Sequence, residues 1–156
     1  MSNVGKRQRW SVGAVVRIDL GGLGVAYGQM LQEPEYALFA AASPSASLTE
    51  IVASPVLFRL WVSRRAHATG RWAKLGTAPV SVALAAPVLR FNQDPLDPGH
   101  IVLGYDGVSG RASTAEQCHG FERAAVWEPE HVEERLGSGR RGQESEWVRR
   151  LSVGGP

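Results

Sequence analysis

The sequence predicts an α+β domain: a small, strongly bent antiparallel β-sheet or barrel with added short helices, the C-terminal helix packed on it. Three observations predict it. Apolar residues alternate with polar ones along two neighbouring segments near the N-terminus, the period of a half-buried strand. A Gly-rich turn joins those segments as a hairpin. Helix start signals are short and fall between or after the strands, the order of an α+β chain rather than a regular βαβ alternation. At 156 residues and 44% hydrophobic, the chain has the composition of one globular domain, and folding at that length hides about 70% of the unfolded surface. Residues 1–156 are therefore read as a single domain, with a flexible N-terminus over 1–10 and a frayed C-terminus over 152–156.

In order along the chain, Val12, Ala14, Val16, Ile18 and Leu20 alternate with polar positions including Arg17 and Asp19, which predicts a strand over Ser11 to Leu20. Gly21-Gly22-Leu23-Gly24 tolerates positive φ, and Val25, Tyr27, Gln29 and Leu31 resume the alternation. Tyr36 to Phe39 is a third short strand after the Glu33-Pro34-Glu35 break. Ser47 and Glu50 have the spacing of a capping box, so Leu48 to Ala53 is a short helix. Val56 to Val62 is a central strand by its β-branched and aromatic content, with Val56, Phe58, Leu60 and Val62 on one face. His100 to Tyr105 is a fifth strand ended by Asp106-Gly107, and Ser113 and Glu116 repeat the capping signature before Cys118. Pro129 to Leu136 is the strongest helix: proline suits its first turn, Val132 and Leu136 share a face, and Gly137 ends it before a flexible basic loop to Gly142. Trp147, Val148 and Leu151 form a last apolar element.

Composition narrows the function classes. A formal net charge of +2 does not by itself imply nucleic acid. It hides an asymmetry: residues 1–90 hold ten basic and four acidic residues, a surplus of +6, and the remainder holds seven and eleven, a surplus of −4. Such a split marks two faces with different partners, or is neutralised when the halves fold against each other. Met1 to Trp10 lacks the apolar stretch of a secretory signal, and no window approaches the ~18 apolar residues of a membrane span. With a single cysteine, Cys118, no internal disulfide forms, and the cytoplasm is the expected compartment.

Chemistry-bearing motifs are few. Gly21 to Gly24 lacks the Lys-Ser/Thr of a phosphate loop and leads into a strand, so it is a hairpin turn. Cys118 and His119 are neighbours that point about 100° apart on a helix, so they do not form a nucleophile and base pair. No base is selected for Cys118 and no catalytic task is expected of it. Asp94, Asp97 and Asp106 sit in turn-rich sequence without the ligand ladder of a calcium loop, and the four histidines lack zinc-site spacing. Neither metal nor cofactor is expected. Arg59 and Trp61, with Arg64, Arg65, Trp72 and Lys74 soon after, interleave cations with aromatic rings. That composition suits a nucleic-acid surface, a protein-binding patch, or aromatic rings buried under the C-terminal helices. In the C-terminal helix, Glu128 and Glu130 suit the positive end of the dipole, whereas Glu133 and Glu134 exceed what capping requires. Glu130, Glu133 and Glu134 are therefore candidates for a partner surface, or else form a solvated helix face compensated by Arg135, Arg140 and Arg141.

Several segments together resemble a known family. Gly13-Ala14-Val15-Val16-Arg17-Ile18 through Ala26-Tyr27-Gly28-Gln29, then Val56 to Val62, Gly70-Arg71-Trp72, Asp94-Pro95 and Gly120 to Val132 are similar to the immunity protein 26 family of bacterial polymorphic toxin systems. The resemblance runs in order over about residues 12–151. Members of that family tend to carry an acidic residue after the first glycine, where this chain has Ala14, and the basic loop Gly137 to Gly142 is a second departure. The resemblance implies a cytoplasmic protein without a catalytic motif that neutralises a cognate toxin domain by direct binding, on a fold similar to small SH3-like barrels. The competing expectation is a small-barrel nucleic-acid-binding module using the basic N-terminal half.

Overall fold

The computed structural model of the protein describes residues 5–106 and 109–154. The N-terminal alternation produces β1 (Ala14–Asp19), with Arg17 and Asp19 outward and the rest buried. The strand begins later than its sequence pattern because Gly13, at φ 92°, turns the chain so closely past Ala78 that a Cβ there would stand 2.9 Å from the Ala78 carbonyl oxygen; Val12 is left exposed. A turn over Gly21–Leu23 leads into β2 (Val25–Met30), held by Leu20 N–H donating to Gly24 O at 2.8 Å and by Asp19 accepting from Gly21 N–H at 2.8 Å. Then come β3 (Glu35–Phe39) and β4 (Val56–Val62), with β5 (Ala73–Thr77) returning beside β1 and β10 (Val126–Trp127) beside β4. The six-stranded order is β10-β4-β3-β2-β1-β5.

This sheet is buried on both faces. Val16, Ile18, Met30, Tyr36, Leu60 and Trp72 pack on one side with Val132 and Leu136 of α4 (Pro129–Arg140). Val15, Tyr27, Leu31 and Phe39 pack on the other with Ile51 of α1 (Leu48–Ala53) and Leu84 of α3 (Val82–Ala85). All six residues of β2 are consequently buried, so cover on both faces overrides the half-buried pattern its alternation predicts.

A second sheet contains β6 (Arg90–Gln93), β7 (Ile101–Gly104), β8 (Arg111–Ser113) and β9 (Glu122–Arg123) in the order β8-β7-β6-β9, over a small core of Phe91, Ile101, Leu103 and Cys118. Two pairs, β10 with β4 and β6 with β9, are parallel. The architecture is mixed α+β with two antiparallel-rich sheets and, among the described residues, five short α-helices, including α2 (Arg65–Ala68) and α5 (Glu146–Leu151). The sheets are not closed into a barrel.

Three local expectations change. Helix α4 runs through Gly137 to Arg140, because Gly137 lies against Leu23, where a Cβ would stand 3.1 Å from Leu23 Cδ1, and Arg140 donates to Leu23 O at 2.9 Å. Docking on the β1–β2 turn outweighs the glycine's preference to end a helix. The second capping box uses Thr114 and Gln117 reciprocally, at 3.2 and 3.0 Å, one residue beyond Ser113 and Glu116, and caps a single 3-10 turn over Glu116–Cys118. Gly107 of the expected strand stop lies outside the described residues. Of the N-terminal segment expected to be flexible, residues 1–4 lie outside the described residues, and Gln8 is tied down: it bridges Trp72 O at 2.8 Å, His67 O at 3.2 Å and Lys74 N–H at 2.8 Å. Trp10 donates to Leu31 O and meets Tyr36 and His67 edge-on.

Candidate functional site

Strand β4 organises the main candidate. Val62 N–H donates to Pro34 O, so Val62, Leu60 and Phe58 face the β3 ladder and Trp61 and Arg59 face the opposite edge. The register shift opposite Leu38 and Phe39 makes Leu57 a bulge; beyond it Pro55 O accepts from Ala40 N–H, which turns the Val56 amide outward as well. Strand β10 covers only Trp61 and Val62. From Val56 to Arg59 the outer edge therefore has no neighbouring strand among the described residues.

That edge borders a cleft of about 710 Å³ between the Pro87-Val88-Leu89 segment and the Gly120-Phe121-Glu122 segment. Its lining includes unusually exposed apolar side chains: Tyr105 at 59%, Leu57 at 52%, and Val56 and Phe121 to a lesser degree. Arg59 is fixed there by Glu35, at 2.9 and 3.2 Å, and donates to Ala86 O at 2.9 Å. Glu35 also holds Arg90 at 2.8 Å, a guanidinium only 1% exposed that lies over the Trp61 ring. Burial pushes Arg90 down from its ordinary value against the pull of Glu35. Two guanidiniums thus share one carboxylate beneath the cleft. On the other wall Arg135 covers the Phe58 ring at 3.8 Å and is paired bidentately with Glu122 at 3.0 and 2.9 Å.

The remaining candidates are distributed elsewhere. Trp72 is completely buried, its indole N–H donating to Glu133 at 3.0 Å. Glu133 pairs with Arg71 at 2.7 Å, and Glu130 pairs with Arg65 at 2.8 Å and Arg71 at 3.4 Å. Hydrogen bonding from Arg65 holds the Glu130 carboxyl below the usual range. The acidic helix thus compensates arginines of the basic half, the second of the two meanings of the charge split. Burial alone would raise Glu134, but Ser145 at 2.6 Å, Ser138 at 2.8 Å and the amides of Glu146 and Trp147 outweigh it and hold this carboxyl low. It serves as the anchor between α4 and α5.

A second concavity, about 650 Å³, is lined by Gly5, Arg7, Gln8, Arg9, Arg64, Ala68 and Thr69 and contains no carboxylate among its lining residues. Cys118 is buried, which pushes its thiol up. Asp94 accepts from the amides of Leu96 and Asp97, and Asp106 from that of Ser109, so these carboxylates shape turns. Among the described residues no group of three or more potential ligands could hold a metal ion, and no helix is long and apolar enough to cross a membrane.

Of the residues singled out in the sequence, Arg59 lines the cleft and Trp61 lies behind it, whereas Trp72 and the three glutamates belong to the α4 interface. Val56, Leu57, Tyr105, Phe121 and Glu35 are the additions; the adjacent apolar pair Val56-Leu57 is the one signal the sequence held. No family model matches the chain, and neither the curated proteins nor the solved structures contain a match.

Proposed function

We propose that this protein is an immunity protein, which neutralises a cognate bacterial toxin domain in the cytoplasm by stoichiometric binding and catalyses nothing itself. The observation that carries the reading is the cleft beside β4: exposed apolar side chains gathered around Arg59, on walls fixed by ion pairs. Apolar and aromatic groups around an arginine are the make-up of interface hot spots. The resemblance over residues 12–151 supplies the class of partner.

The test is the neighbouring reading frame. A large secreted protein with a variable C-terminal domain is expected there. Co-expression with this chain should restore growth and give a one-to-one complex. Leu57→Asp and Tyr105→Asp, both at exposed positions, should abolish protection without lowering the melting temperature. Absence of such a neighbour, or full protection by both folded variants, overturns the reading.

A nucleic-acid-binding function is the second reading, favoured by the Arg7, Arg9 and Arg64 concavity. It requires that single-stranded DNA binds at low salt, weakens steeply as salt rises, and fails to bind an Arg7→Glu, Arg9→Glu, Arg64→Glu variant.

A further inference from the structure

We infer that the cleft receives its partner as an extended polypeptide segment, added as a strand along the outer edge of β4. This rests on the reading of the cleft as a protein-binding surface. It specifies the conformation and chemistry of what enters.

The main chain supplies the first argument. Arg59 and Val56 direct their peptide groups away from β3, and β10 stops short of both. An edge of this kind offers the hydrogen-bonding pattern that an extended chain completes, while side-chain pockets give specificity. The edge runs beside exposed apolar side chains that would cover alternate residues of an incoming strand. A small rigid ligand uses neither feature fully.

Charge supplies the second argument. Glu35 is shared by Arg59 and Arg90, leaving one positive charge in excess, while Arg135 and Glu122 balance on the opposite wall. Of the two guanidiniums that share Glu35, Arg59 at 12% exposure lines the cleft, whereas Arg90 at 1% does not. The entering segment therefore has apolar residues at alternate positions and a carboxylate set to meet Arg59.

The probe is a displayed library of random linear peptides, with enriched sequences resynthesised for binding. Alternating apolar residues with an Asp or Glu are expected. N-methylation of one set of alternate peptide amides should abolish binding, and methylation of the other set should not. Val56→Pro removes one outward N–H at the first residue of a strand, where proline is tolerated. It should weaken binding about tenfold, whereas Val56→Ala should change it little. In the unmodified protein, amide exchange at Val56 and Arg59 should slow in the peptide complex. Enriched peptides indifferent to N-methylation in both registers, an absence of binding peptides, or unchanged exchange at Arg59 overturns the inference. The exchange measurement holds even where the proline variant fails to fold. Because the peptides are tested without any toxin, their failure leaves the inhibitor reading standing. Failed protection in co-expression with a positive peptide result removes that reading alone.

Discussion

Glu134 shows how a residue's neighbours decide its work. A carboxylate four positions after Glu130 reads as surplus charge on a helix, yet its two oxygens accept from Ser138, Ser145 and the start of α5. Glu134→Gln should cost about 1–3 kcal/mol, since it replaces a charged acceptor by one that satisfies fewer of these donors. The pH dependence has a definite sign. The folded-state pKa lies below the ordinary 4.5, so the contribution is complete above that value and is lost as pH falls through the lower, folded one. Chemical denaturation across the acid range should show the wild type losing this increment and the glutamine variant lacking it. A variant with the same acid limb as wild type would show that the anchor is unimportant. Trp72 and Glu133 teach the same lesson, because a ring and a carboxylate that suggest a surface in sequence satisfy each other in the fold.

At the scale of elements, local chemistry was legible where it was self-sufficient. Helix α1 has the predicted bounds because Ser47 and Glu50 form both halves of their box, at 3.1 and 3.3 Å. Ser47→Ala should therefore lower stability by about 1 kcal/mol, measured as a shift in the urea midpoint; a neutral substitution would mean that packing of Ile51 alone holds the helix. Strand β4 also has its predicted bounds, from its own β-branched and aromatic residues. Strand β5 was not legible, since Ala-Lys-Leu-Gly-Thr carries little strand preference and is recruited by β1. Two-residue strands such as β9 and β10 have no sequence period at all. The cleft was legible only at Arg59 and in the apolar pair Val56-Leu57 beside it. The exposure of Tyr105 and Phe121, and the sharing of Glu35 by two arginines, arise from contacts far apart in the chain.

At the scale of the whole molecule, the halves are complementary rather than independent. Arg65 and Arg71 in the basic half find Glu128, Glu130 and Glu133 in the acidic half. Trp127, Val132 and Leu136 complete a core begun by Val16 and Ile18. A chain ending at residue 121 should therefore fail to give a cooperative thermal transition and should expose apolar surface to a hydrophobic dye. A sharp transition in that fragment would establish residues 5–121 as a self-sufficient unit.

Strands β9 and β10 lie almost consecutively in the chain yet complete different sheets, one beside β6 and the other beside β4. During synthesis on the ribosome, Val62 thus waits for Trp127 to emerge before its ladder closes. Until then the nascent chain presents the uncovered flank of β4 and the unfilled side of the first sheet together. Contacts of such long sequence separation form late and leave intermediates prone to association. One short stretch, Glu122 to Trp127, thus closes both sheets, and slowing translation just before it is expected to lengthen the time over which these edges stay open.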